Sequence, residues 1–189
     1  MTVYRWLILA LWLLFAVVWG VSALKTKRTV GGRRPRMEIA MRLVSVAIVL
    51  LVVYVARHGV GHTRLQLMTN SPLLGIVGDV LCALGIGLAF WARFFLGRNW
   101  GMPMSLKENP ELVTGGPYAY VRHPIYTGVL FAMIGSAIAI SPLWLIPTAF
   151  SCVYFIYSAR QEEKLMSAQF PEAYPAYMQR TKMLIPFVF

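Results

Sequence analysis

Apolar residues in this chain fall into long unbroken runs divided by short polar stretches, and most of the runs have the length a bilayer requires. Tyr4 to Leu24, carrying Trp6, Trp12 and Trp19, is long enough as a helix to cross the roughly 30 Å hydrocarbon layer. Its length, and the basic cluster behind it, argue against a cleaved signal peptide. Ile39 to Val55 forms a second run, interrupted only by Arg42, whose stem can snorkel to the interface. Pro72 to Leu96 is the third, with Asp79 in its outer half and Gly75, Gly78, Gly85 and Gly87 leaving room for close helix packing. Pro124 to Ile140 and Leu143 to Ala159 read as a helical hairpin turned at Ser141-Pro142. From Arg160 to Phe189 the apolar character drops, and Glu162, Glu163, Phe170, Tyr174 and Tyr177 recur at helical spacings, as in an amphipathic tail. The expected fold is an all-α integral membrane protein of five transmembrane helices. It forms one domain over residues 1–189, with 1–95 as scaffold spans and 96–189 as the part that bears the polar motifs.

Composition agrees with the pattern. Of 189 residues, 58% are hydrophobic and 13% charged, and the mean hydropathy is +0.63, whereas charged residues alone make up about a quarter of a soluble domain. The net charge of +11 would suggest nucleic acid in a soluble protein. Here the cations sit beside apolar runs, which is the pattern of topology determinants and anionic headgroup contact, so no nucleic-acid partner is expected. Lys25, Lys27, Arg28, Arg33, Arg34 and Arg36 crowd the first loop and place it in the cytoplasm. That puts the amino end outside and the carboxyl end inside, in a bacterial-type inner or plasma membrane. Cys82 and Cys152 lie within apolar runs as unreactive core residues. His58 and His62 are four apart but have no carboxylate or thiol beside them, so no metal is expected. Asp79 lies only about two turns into its helix, which favours interfacial or interhelical hydrogen bonding over chemistry.

Chemistry concentrates in Leu112 to Gly128. Arg122, His123, Tyr118, Tyr120, Tyr126, two prolines and three glycines share one turn between apolar segments, and glycine and proline there fix backbone geometry that aims amides away from a helix. His123 has two open roles, locking the turn through a backbone carbonyl or meeting a ligand. The tyrosines could equally be interface aromatics. Since the loop, the turn and the tail are expected on one face, Glu162 can reach a ligand held by the turn, and Glu162 and Glu163 could otherwise be solvated helix-face charges.

Gly-Pro-Tyr-x-Tyr-Val-Arg-His-Pro-x-Tyr-x-Gly at Gly116 to Gly128 follows Leu112-Val113 and Leu96-Gly97-Arg98-Asn99-Trp100. With Glu162-Glu163, Leu165, Phe170, Tyr174, Tyr177 and Ile185-Pro186 in the tail, it resembles the isoprenylcysteine carboxyl methyltransferase family over about half the chain. The same broad pattern extends to phospholipid methyltransferases and, more weakly, to membrane sterol reductases. The resemblance implies S-adenosylmethionine bound in a pocket on the cytoplasmic face, and a lipophilic or lipidated acceptor taken from the membrane lipids. Carried over by position, Pro110, Glu111, Leu112 and Val113 would line the cofactor from the loop. Tyr118 and His123-Pro124-Ile125-Tyr126 would hold it at the turn, Glu162 would hold it from the tail, and Ser105 falls near a further contact.

Two departures stand out. Phe170-Pro171 replaces the family's Phe-Gly, and Ser158 stands where its isoprenylcysteine enzymes carry an arginine near the substrate carboxylate. Arg160, roughly 200° further round a helix, is the nearby cation and joins His123 and Glu162 as a candidate catalytic residue. A carboxylate acceptor is already ionised at neutral pH, while an amine would need His123 or Glu162 to take its proton. Two further readings compete: a nicotinamide-dependent membrane reductase, which would need a phosphate-binding cluster of cations, and a non-enzymatic membrane subunit.

Overall fold

The computed structural model describes residues 3–24, 26, 29–32, 40, 43–44, 47–51, 54, 71–100, 105–109 and 111–188. The chain is largely helical, with α1 (Val3–Ala23), α2 (Pro72–Leu96), α3 (Pro124–Ala139), α4 (Leu145–Gln169) and α5 (Ala173–Arg180). Among the described residues, three helices are long and apolar enough to cross a membrane, Val3–Ala23, Pro72–Asn99 and Pro142–Gln169, and Pro124–Ala139 is a shorter apolar helix. About half of the second expected span lies outside the described residues, and its described positions are helical. His58, His62 and most of the basic first loop also lie outside them.

Prolines set where the helices begin. Pro72 and Pro124 each occupy a first helical position, where the missing N–H has no partner to lose. Pro142 opens the 3-10 turn that leads into α4, and Ser141 caps that turn by accepting from Leu143 N at 3.3 Å. At the other end of α2, Gly97 takes a φ of 56°, the left-handed conformation that stops a helix.

Two features differ from expectation. The helix that contains the fifth apolar run does not end at Ala159 but continues to Gln169, because no glycine or proline falls between Ala159 and Phe170-Pro171. A two-stranded antiparallel ladder also joins β1 (Thr29–Gly32) to β2 (Ser105–Lys107), pairing Thr29 with Lys107 and Gly32 with Ser105 around a bulge. Strands this short carry little signal of their own.

The chain divides into two compact units. Unit 1 comprises 1–14, 34–86 and 129–153 and is packed by small residues. A Cβ at Gly78 would stand 2.5 Å from Gly135 O, and one at Gly135 would stand 2.5 Å from Cys82 N, so α2 and α3 meet backbone to backbone. The Tyr4 ring fills the space over Gly75, whereas Gly87, in the other unit, faces nothing within 4 Å. Trp12 Nε1 donates to Ser136 Oγ at 3.0 Å. Asp79 makes no interhelical hydrogen bond among the described residues. Gly135 and Ala139, which pack on α2 at the neighbouring Gly78, carry no side-chain donor.

Unit 2 comprises 15–33, 87–128 and 154–189. Arg93 is buried there, its guanidinium donating to Gly97 O at 2.8 Å and Ser22 O at 2.6 Å, with the Trp100 ring 4.5 Å away. One cation thus satisfies carbonyls at the C-terminal ends of α1 and α2, where the helix dipoles favour positive charge.

Candidate active site

The turn before α3 is built from residues that cannot make a helix. Gly116 adopts a φ of 59°, and a Cβ there would lie 2.6 Å from the Phe95 ring, so glycine is needed for both conformation and space. Pro117 and Tyr118 are buried behind it, and Tyr177 Oη donates to Tyr118 O at 2.6 Å. The segment after α5 runs beside the turn as a parallel bridge between Val121 and Lys182. Arg122 N donates to Lys182 O at 2.8 Å, His123 N to Met183 O at 3.1 Å, and Thr127 Oγ1 to Leu184 O at 2.7 Å. Backbone and hydroxyl hydrogen bonds therefore fix Arg122 and His123 before their side chains act.

Those side chains meet the end of α4. Arg122 Nε donates to Glu163 Oε1 at 2.6 Å, and its Nη1 donates to Thr181 O. His123 Nδ1 lies 3.5 Å from Glu162 Oε2 and its Nε2 lies 3.4 Å from Glu163 Oε1, the latter without hydrogen-bond geometry. Tyr126 Oη donates to Glu162 Oε1 at 2.6 Å. The His123, Tyr126 and Phe155 rings stack in series, with centroids 5.4 and 4.6 Å apart.

Electrostatics decide the state of the imidazole. Burial alone would push the His123 pKa down, but the contact with Glu162 and the negative charges of Glu162 and Glu163 outweigh it and raise the pKa above the ordinary 6.5. With the proton on, Arg122 and His123 balance the two carboxylates; without it, a buried net negative charge remains. The nearby phenols are poor bases. Burial, then the Glu162 charge, raises Tyr118 well above its ordinary value, and burial lifts Tyr177 to about 12.

Of the residues singled out in sequence, Tyr118, His123, Pro124, Tyr126 and Glu162 share this unit, and contacts join His123, Tyr126 and Glu162 directly. Ile125, Leu112 and Val113 are half-buried, and the exposed Glu111 accepts from Asn99 Nδ2 at 3.2 Å. Pro110 lies outside the described residues. Arg160 is exposed and makes none of the contacts given above. Sequence reading missed the part played by Glu163, which is buried and pairs with Arg122. The Arg-His and Glu-Glu doublets were the available signal, since adjacent cations facing adjacent carboxylates can pair one to one. Ser158 is fully buried, one turn before Glu162, and its hydroxyl has no hydrogen-bond partner. Among the described residues no group of three or more His, Cys, Asp or Glu is arranged to hold a metal.

The model of the phospholipid methyltransferase family matches residues 73–173, more than half of the chain, and the chain belongs to that family. With its three long apolar helices, the match marks an integral membrane protein. The chain is similar to the cobalt-zinc-cadmium resistance protein CzcN of Cupriavidus metallidurans, 32% identical over 129 residues, 67% of this chain and 55% of that protein. It is similar to the nickel-cobalt-cadmium resistance protein NccN of Alcaligenes xylosoxydans xylosoxydans, 30% identical over 156 residues, 81% of this chain and 65% of that one. It also matches protein-S-isoprenylcysteine O-methyltransferase of Tribolium castaneum, 31% identical over 119 residues, 61% of this chain and 42% of the enzyme. The family suspected from the turn and tail motifs is thus borne out. The chain spans between about two fifths and two thirds of the length of these relatives.

Proposed function

We propose that the chain transfers a methyl group from S-adenosylmethionine to a lipophilic acceptor presented from the membrane, and that an isoprenylcysteine-type carboxylate is the acceptor class the site suits. The observation that carries the reading is the His123 imidazole held between Glu162 and Glu163, an arrangement that favours its protonated form. A site whose histidine is biased toward its protonated form and whose neighbouring phenols resist ionisation suits an acceptor that needs no base, and a carboxylate is such an acceptor.

The residues fit the cofactor. One buried polar atom one turn before Glu162, Ser158 Oγ, has no hydrogen-bond partner among the described residues, and buried polar atoms left unmet are rare unless a ligand or water meets them. Glu162, Tyr126, Tyr118 and the run His123-Pro124-Ile125 would hold the cofactor, with Glu111, Leu112 and Val113, and Pro110 before them, from the loop. When bound, it supplies an electrophilic methyl on a sulfonium. The protein's part is then alignment and exclusion of water, for which the Tyr126 and Phe155 rings wall one side. Arg160, being exposed, has no part in this reading.

The topology proposed is five spans with the amino end outside and the site facing the cytoplasm, all 189 residues acting as one functional domain. Support comes from unit 1. Tyr4 packs at Gly75, while Trp12 bonds Ser136, which sits 3.8 Å from Cys82. So α1 and α2 run in the same direction, which supports a returning span between them.

A second reading has its own observation. Ser158 in place of a cation favours an amine acceptor such as a phospholipid headgroup, with Glu162 taking the proton. Labelled methyl from S-adenosylmethionine, offered with membrane extract and prenylated cysteine analogues, tests both. Label on the prenylcysteine carboxyl supports the first reading, and label on a phospholipid amine the second. A protein whose melting temperature rises with NADPH and not with S-adenosylmethionine would be a reductase, which would overturn both.

A further inference from the structure

We infer that the groove between the turn at Tyr120 and the segment that follows α5 is a docking site for the headgroup of an anionic membrane phospholipid. The groove holds about 140 Å³, several times the roughly 30 Å³ share of a water molecule. Arg180 and Lys182 line it and, among the described residues, no carboxylate does, while Thr181, Gln179 and Tyr120 add polar groups. Both cations are exposed. A guanidinium beside an ammonium matches a phosphate diester, the first by its paired N–H groups and the second as a point charge.

The rim selects a lipid over a soluble anion. Phe187, at the lip, is 88% exposed, with Val188 at 72%, Tyr120 at 60% and Ile185 at 47%. Phe187 also has a φ of 65°, a conformation strained for a bulky residue, and Val188 N closes the turn on Ile185 O at 3.2 Å. A backbone held in that state to present an aromatic and two aliphatic side chains next to two cations has the make-up of an interfacial anchor. Apolar groups enter the acyl boundary while cations meet anionic headgroups.

Occupancy would reach the turn. Lys182 and Met183 offer the carbonyls that accept from the Arg122 and His123 amides, and Thr181 O accepts from the Arg122 guanidinium. A headgroup on Arg180 and Lys182 therefore steadies the strand that fixes Arg122 and His123. None of this depends on which reaction the chain performs.

The test uses the full chain in nanodiscs of phosphatidylcholine alone and of phosphatidylcholine with phosphatidylglycerol, read by hydrogen exchange. A cation near an anionic surface gains about fivefold in binding. Residues 178–187 and the Arg122 and His123 amides should therefore exchange at least severalfold more slowly in the anionic discs, and R180Q/K182Q should remove the difference. Equal exchange of the unaltered chain in the two discs overturns the proposal with no variant needed. So does equal protection in neutral discs by soluble glycerol phosphate, which would make the groove a site for free anions, and so does a difference that survives R180Q/K182Q.

Discussion

The two units hold together by opposite means. In unit 1 the α2–α3 crossing depends on the absence of side chains, with Gly78 and Gly135 letting backbones touch. In unit 2 the turn and the end of α4 depend on charge and hydrogen bonding, through Arg122, His123, Glu162 and Glu163. Lipid tails are as apolar as the side chains they surround, so helices in a bilayer gain little from burying leucine and gain instead from close fit. Buried charge is tolerated only where each ion is matched, as it is around His123 and again around Arg93, whose partners are helix-end carbonyls. Shape should therefore be the sensitive variable in the first unit and charge balance in the second.

The largest effect expected from that contrast is at Gly135. Gly135→Leu drives a side chain into Cys82 N and Gly78 O, backbone atoms that cannot swing aside. A loss above about 4 kcal/mol is expected, enough to prevent recovery of folded protein from detergent. Gly87→Ala is the control, since nothing lies within 4 Å, and it should leave the melting temperature unchanged or raise it slightly through helix propensity. Equal behaviour of the two variants would remove the claim that unit 1 rests on fit.

Next comes the Arg122–Glu163 pair, whose side chains are 9% and 10% exposed. Glu163→Ala leaves Arg122 and His123 facing one carboxylate, and a loss of about 3 kcal/mol is expected. The double variant Arg122→Met with Glu163→Met should cost less than either single change, because no unmatched ion remains. Additive losses, measured by thermal unfolding, would mean the pair acts by packing alone.

How much of this could be read beforehand depends on the range of the forces. Bilayer thickness and proline starts are local constraints, so α1, α2 and α3 were legible from apolar runs with Pro72 and Pro124 at their heads. The His123 turn was legible because Gly116, Pro117 and Pro124 dictate backbone shape by themselves. The length of α4 was less legible, because hydropathy reports the membrane and not the helix: the apolar run ends at Ala159 while the helix continues to Gln169. The β1–β2 ladder joins segments over seventy residues apart and has no periodic pattern to show. Arg93 resembles any cation near the end of an apolar run until Ser22 O and Gly97 O are seen to converge on it. Glu163 was passed over because sequence does not show which of two adjacent glutamates faces inward.

Charge balance in unit 2 also predicts a pH effect confined to one window. The folded pKa of His123 lies above 6.5, so its contribution to stability is complete below about 6.5, the unfolded value, and is lost as pH rises through the folded pKa. The melting temperature of the unaltered chain should therefore fall from neutral to alkaline pH relative to that of His123→Gln, which lacks the titration. Parallel curves would show that the imidazole is not held as a cation.

The smallest effect sharpens the contrast from the side of unit 1, which does contain a side-chain hydrogen bond, Trp12 Nε1 to Ser136 Oγ at 3.0 Å. If fit dominates there, removing this bond should matter little. Ser136 keeps its own donation to Ala132 O at 2.8 Å, so the hydroxyl is not stranded, and interhelical hydrogen bonds in membrane proteins average only about 0.6 kcal/mol, because the unfolded chain in lipid also finds partners. Trp12→Phe keeps an aromatic ring while deleting the donor, and a loss under about 1 kcal/mol is expected. A loss as large as that of Glu163→Ala would place unit 1 in the same class as unit 2, stabilised by polar contacts that happen to lie among small residues, and the division drawn between them would fail.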